Sequence, residues 1–296
     1  MRPVFYSLLC VLWTAELHAQ TIEDGIAMVE ADRFEDAVRI LASVVERNPE
    51  SFEGNFYLGL AHFRAGRPKP ARPLLERATG IAPANPQAWK MLGLVSTSDG
   101  DFQAATSALA KACDLAPNDD EACYYLARNL YALGRFEAAR IPFEKALRAA
   151  PESMQGRVHR AMAMNLAATG SPTEAELHFV KAIQLAGRPL REPDDARIDY
   201  GAFLFRQGRT DDALRPLQQA AQDMPSSARA NLELGRVLLH LDRIDDAATS
   251  LAKAVRLQPG NSNAHLLLSR AYLRLGRISE GEREMRLAQE ALADKH

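Results

Sequence analysis

The residues of this 296-residue chain with chemistry to offer are its cysteines, histidines and arginines. Cys113 and Cys123 stand ten residues apart. In an oxidising compartment such thiols can pair; otherwise Cys serves as a small core residue. The seven histidines are scattered. His62, His159 and His265 fall among apolar residues at helical spacing and read as packed side chains. No two histidines stand at metal-ligand spacing. The chain has no phosphate-binding loop, dinucleotide fingerprint, zinc-protease helix, nucleophile elbow or Cys-x-x-Cys pair. We therefore expect no catalytic residue, no cofactor and no metal.

Composition narrows the classes further. A 47% apolar content excludes a mainly disordered chain. With 36 basic and 38 acidic residues, the net charge of −2 argues against a general nucleic-acid binder. No apolar run beyond the first twenty residues is long enough to span a bilayer. Residues 1–19 read as an export signal. Arg2 supplies the positive start, Val4 to Trp13 the apolar stretch, and Ala19 the small residue before Gln20. Leu9 before Cys10 excludes a lipidated cysteine. Cleavage would leave Cys113 and Cys123 as the remaining thiols, in a periplasmic or secreted setting.

The elements that must position these residues emerge from a repeat. Pro49, Pro83, Pro117 and Pro151 are spaced by 34 residues, as are Pro225 and Pro259. In the same register run Ala37, Ala71, Ala105, Ala139, Ala175, Ala213 and Ala247. So do the bulky residues Leu41, Leu75, Leu109, Phe143, Phe179, Leu217 and Leu251. Leu58-Gly59, Leu92-Gly93 and Leu234-Gly235 mark an earlier position, and Gly66, Gly100, Gly134, Gly170, Gly208 and Gly276 mark mid-unit. Apolar spacings of three and four predict two amphipathic helices per unit. The mid-unit glycine ends helix A, and the proline ends helix B. Pro73, Pro142 and Pro216 fall inside helix B and are expected on its solvent side.

This pattern resembles the tetratricopeptide repeat family. Trp89-x-x-Leu92-Gly93, the paired small residues and the closing proline match its repeat. The resemblance implies an all-α fold, a right-handed α-solenoid superhelix of about eight helix-turn-helix repeats. Their starts are expected near residues 18, 52, 86, 120, 156, 194, 228 and 262. The organisation is then a signal at 1–19, repeats 1–5 over 20–189, an insertion at 190–193, and repeats 6–8 over 194–296 with a C-terminal capping helix. Cys113 closes helix B of unit 3 and Cys123 opens helix A of unit 4. Either a disulfide staple across the turn or two buried thiols fits that placement.

The resemblance also implies a binding surface built by the A helices. Positions 2, 5, 9, 12 and 13 of each unit share one helical face. They carry Arg64, Lys90, Arg128, Arg157, Arg160, Arg206, Arg229, Arg236, Arg270 and Arg274 against Glu30, Glu53, Glu121 and Asp195. Phe56, Phe63, Tyr124, Tyr131 and Phe205 lie on the same face. Arginine forks recognise carboxylates, and aromatics bury area at low entropy cost. We expect a protein or peptide partner of acidic character, with Arg128, Arg160, Arg206 and Arg236 central. The function expected is a protein-interaction scaffold in envelope or secreted assembly. A glycan- or peptide-processing enzyme and a self-associating structural solenoid are the alternatives. The exposed charges of the last helix, Glu280, Glu282, Arg283, Glu284, Arg286 and Glu290, favour a solubilising cap over end-to-end stacking.

Overall fold

The computed structural model describes residues 21–185 and 195–293. The expected signal at 1–19 and insertion at 190–193 lie outside the described residues. Among those described there are sixteen α-helices and no strand. The first helix of each hairpin, helix A, is α1 (Ile22–Glu30), α3 (Phe52–Arg64), α5 (Pro86–Ser98), α7 (Asp120–Ala132), α9 (Glu152–Ala168), α11 (Ala196–Arg206), α13 (Ala228–His240) or α15 (Ser262–Arg274). The second, helix B, is α2 (Phe34–Arg47), α4 (Pro68–Ile81), α6 (Phe102–Leu115), α8 (Phe136–Ala149), α10 (Pro172–Gln184), α12 (Thr210–Asp223), α14 (Ile244–Leu257) or α16 (Ile278–Ala293). The chain divides into two compact units between residues 135 and 136.

Local chemistry sets the helix ends. Thr21, Ser51, Asn85, Asp119, Asp195, Ser227 and Asn261 each accept a backbone N–H of the helix they precede. Each such cap contributes about 1 kcal/mol. At the other end of α3, the Gly66 N–H donates to the Phe63 carbonyl and the Arg67 N–H to that of His62. This closure needs a left-handed residue, and Gly66 supplies φ +74°. The first and seventh hairpins lack that glycine. Asp32 and Asp242 adopt the conformation there, at φ 56° and 62°.

Packing within a hairpin follows from the two small-residue positions. Leu75, Leu109, Leu217 and Leu251 of the B helices are fully buried. They press so closely on helix A that a Cβ on Gly93 would lie 2.4 Å from Leu109 Cγ. Gly59 and Gly235 face Leu75 and Leu251 in the same way, at 2.8 and 2.5 Å. Within each unit, every A helix also packs on the next A helix, whereas the B helices make no comparable contact with one another among the described residues. The A helices therefore form the inner side of each stack. In the first unit, Cys113 of α6 and Cys123 of α7 are joined, with Cα atoms 5.0 Å apart.

Two local expectations are corrected. The first helix of repeat 5 opens one turn before the repeat start expected near residue 156. Helix α9 begins at Glu152 and runs for 17 residues, against 13 for α3, α5, α7, α13 and α15. Pro151 supplies the extended backbone that starts it, and its carbonyl accepts the N–H groups of Met154 and Gln155. Of the interior prolines, Pro73 is exposed and Pro216 half-buried, but Pro142 is buried beside Phe143. A proline ring is apolar and carries no donor, so burial leaves no N–H of its own unsatisfied.

Candidate functional site

Each unit presents its own A-helix face, and the structure sorts the expected residues by what they already touch. In the first unit, Arg64 is exposed on the last turn of α3, and Arg128 is exposed on α7. The Arg128 guanidinium lies 5.7 Å from the centre of the Tyr124 ring. Tyr124 itself is only 3% exposed, so it serves as a platform beneath Arg128 and offers a partner little surface. Tyr131 is half-buried. Phe56 and Phe63 are half-buried against the core that includes Leu75 and Leu92. Lys90 is withdrawn from the face: its Nζ reaches Asp119 Oδ2 at 2.8 Å and Glu121 Oε2 at 3.3 Å. Burial alone would depress its pKa, but these carboxylates outweigh burial and raise it.

In the second unit, the main finding is a carboxylate that lies outside the expected set. Asp199, on α11, is 5% exposed and pairs through one oxygen with Arg160 of α9 and through the other with Arg229 of α13. One acid thus ties three successive A helices together. Arg160, expected as a central contact, has a side chain only 15% exposed and is committed to this clamp. Arg236 pairs with Glu233 one turn before it, at 3.2 Å. Arg274 donates to the Leu239 carbonyl at 3.0 Å and pairs with Asp242, so it caps the C-terminal end of α13. Asp195, expected to face the partner, is 2% exposed; it caps α11 and binds Arg197.

Asp199 and Glu233 both occupy position 6 of their repeats, which the choice of positions 2, 5, 9, 12 and 13 passed over. A residue at position 6 stands three or four residues from positions 2 and 9, on the same helical face. That spacing was the available signal.

Arg157, Arg206 and Arg270 are exposed on the second unit, with Phe205 half-buried against His240, ring centres 5.4 Å apart. Arg206 and Arg270 have no ion-pair partner in the structure among the described residues. Beside Arg270, a depression of about 510 Å³ is lined by Leu266, Leu267, Leu273, Arg274 and Met285. Leu266 and Leu273 are 46% and 40% exposed. The face can bury apolar side chains and pair with carboxylates at once.

The histidines are packed, as expected, yet not isolated. His265, 4% exposed, reaches Glu284 Oε2 at 2.6 Å through Nδ1 and the Pro259 carbonyl at 2.8 Å through Nε2. Glu284 therefore does not belong to the exposed side of α16, where Glu280, Glu282, Arg283, Arg286 and Glu290 stand outward. His159 and His178 bring their Nδ1 atoms to 2.9 Å. Spacing within one helix cannot show such pairs, because each joins helix A to helix B nineteen residues later. No group of three or more metal-ligating side chains gathers among the described residues. No described helix is long and apolar enough to cross a membrane.

Comparison with known proteins agrees with this geometry. One tetratricopeptide repeat profile matches residues 25–86, 71–120, 160–228 and 204–262, and a second matches 97–165 and 243–295. No curated protein is significantly similar to the chain. Among solved structures, MamA of AMB-1 is 31% identical, with a TM-score of 0.51, over 55% of this chain and 95% of that one. MamA of MSR-1 is 32% identical, with a TM-score of 0.50, over 55% and 92%. A structure of the APC/C hetero-tetramer Cut9-Hcn1 has a TM-score of 0.63 over 84% of this chain and 48% of that one, at 18% identity. With its 34-residue register, paired helices and matched profiles, the chain belongs to the tetratricopeptide repeat family.

Proposed function

We propose that this protein is an interaction scaffold that holds a partner protein segment against its A-helix faces. The observation that carries the reading is the surface around Arg270. There an unpaired guanidinium borders a depression walled by half-exposed leucines, between α15 and α16 of the last hairpin. Such a surface suits an extended or helical segment that alternates apolar and acidic side chains. Arg64 and Arg128 on the first unit, and Arg206 on the second, extend the same chemistry on their own units.

We further place the protein outside the cytoplasm, in envelope or secreted assembly. The pattern of residues 1–19 supports export. The Cys113–Cys123 pair supports it independently, because structural disulfides persist in oxidising compartments. The charged outer side of α16 favours a capped end over end-to-end stacking.

The test is in-cell crosslinking from a photoreactive residue at position 266, which lines the same depression, followed by mass spectrometry of the captured protein. Arg206→Glu combined with Arg270→Glu should abolish capture by reversing the charge of the surface. Undiminished capture by that variant would reject this site.

A further inference from the structure

The contact between His159 and His178 plays no part in the surface assigned to the partner. His159 projects from α9 and His178 from α10, and the two Nδ1 atoms are 2.9 Å apart. The ring centres are 4.9 Å apart, with planes tilted by 46°. The same nineteen-residue step joins His265 to Glu284 in the last hairpin. The repeat therefore builds a side-chain contact at this place, and in the fifth hairpin both contributors are imidazoles.

We propose that His159 and His178 form a two-nitrogen site for a divalent transition-metal ion, with copper(II) or nickel(II) preferred to zinc(II). The separation of the nitrogens carries the argument. Imidazole nitrogens bind such metals at about 2.0–2.1 Å, which puts neighbouring corners of a square-planar or octahedral centre about 2.8–3.0 Å apart. Tetrahedral corners would stand about 3.3–3.4 Å apart. The observed 2.9 Å is the length of an ordinary hydrogen bond between the rings, and it already stands at the first spacing, so copper(II) or nickel(II) would not have to move the rings apart.

The surroundings agree. Both residues are half-buried, and water would supply the remaining ligands. A neutral imidazole is the form that binds a metal. Where one Nδ1–H donates to the other Nδ1, moving that proton to its own Nε2 exposes the second lone pair without changing the charge. Glu174, one turn before His178, adds a favourable negative charge, although it also pairs with Arg140 at 3.3 Å. Lys181, one turn after His178, opposes it. The affinity therefore rests on the two nitrogens.

Copper(II), nickel(II) and zinc(II) chlorides titrated into the full chain, without a polyhistidine tag and in a non-coordinating buffer, test the proposal. Calorimetry should show a single copper ion per chain, bound more tightly than nickel and nickel more tightly than zinc. Electron paramagnetic resonance should show copper hyperfine structure from two imidazoles. His159→Gln and His178→Ala should each weaken copper binding by about tenfold or more and leave one imidazole in the spectrum. His178 lies half-exposed on the outer helix, so His178→Ala decides the matter if His159→Gln does not fold. Copper binding unchanged in His178→Ala, zinc binding tighter than nickel, or no ion bound at submillimolar concentration would each overturn the proposal.

Discussion

Asp199→Asn tests the clamp that joins α9, α11 and α13. The carboxylate is 5% exposed, the Arg160 side chain 15% and the Arg229 side chain 39%. Removing one partner of a fully buried ion pair costs about 3–5 kcal/mol, because the other charge stays buried without a counter-charge. An exposed pair is worth about 0–1 kcal/mol. Arg160 lies near the first limit and Arg229 nearer the second. Asparagine keeps one acceptor oxygen, but its amide donors face guanidinium donors. The expected loss is about 2–4 kcal/mol. Repeat arrays need not unfold in a single step, so native-state hydrogen exchange is the suitable assay. Protection of the α9, α11 and α13 amides should fall by about thirtyfold or more, while α3 and α5 are unaffected. Adding Arg160→Met should restore part of that protection, because it removes a charge that has lost its Asp199 partner and retains apolar volume. A change below about 0.5 kcal/mol for Asp199→Asn, or a double variant no better than the single one, would refute the electrostatic account.

Three further outcomes follow from the packing. Gly93→Ala drives a Cβ to 2.4 Å from Leu109 Cγ, and should destabilise the α5–α6 hairpin by about 1–3 kcal/mol in a urea unfolding series, with Leu109→Ala in the same chain relieving part of the clash. Reduction of Cys113–Cys123 should cost about 2–3 kcal/mol, given a sequence separation of ten, and thiol titration of the unfolded, unreduced protein should find neither cysteine reactive. Acidification should weaken the α9–α10 hairpin: between the ordinary value of 6.5 and about 4, unfolded His159 takes up a proton that the folded residue refuses, so stability falls with pH in that window and levels off below it. Denaturation midpoints at several pH values should show this slope, and His159→Gln should flatten it.

The hairpin was legible because its causes are local. Thr21, Ser51, Asn85, Asp119, Ser227 and Asn261 stand in the sequence where helices open, and the mid-unit glycines where they turn. Even the close approach of Gly93 to Leu109 shows as a pair repeated in register. The binding face was legible only as a face. Helical periodicity put Arg160, Arg206 and Arg270 on one side, but it could not tell a committed arginine from an available one. That distinction depends on Asp199, which lies 39 residues from Arg160 and 30 from Arg229.

The sequence alone determined the all-α class, the period, the helix boundaries to within about a turn, and which side of each A helix carries the arginines. Those properties follow from dihedral preferences and from burying one apolar stripe per helix, both governed by residues a few positions apart. Tertiary structure decided which charges neutralise one another, that Tyr124 supports Arg128 from beneath, and that His159 meets His178. These outcomes depend on how far one helix is staggered along the next. A shift of a single turn would separate the His159 and His178 rings while leaving the helical periodicity of both helices unchanged.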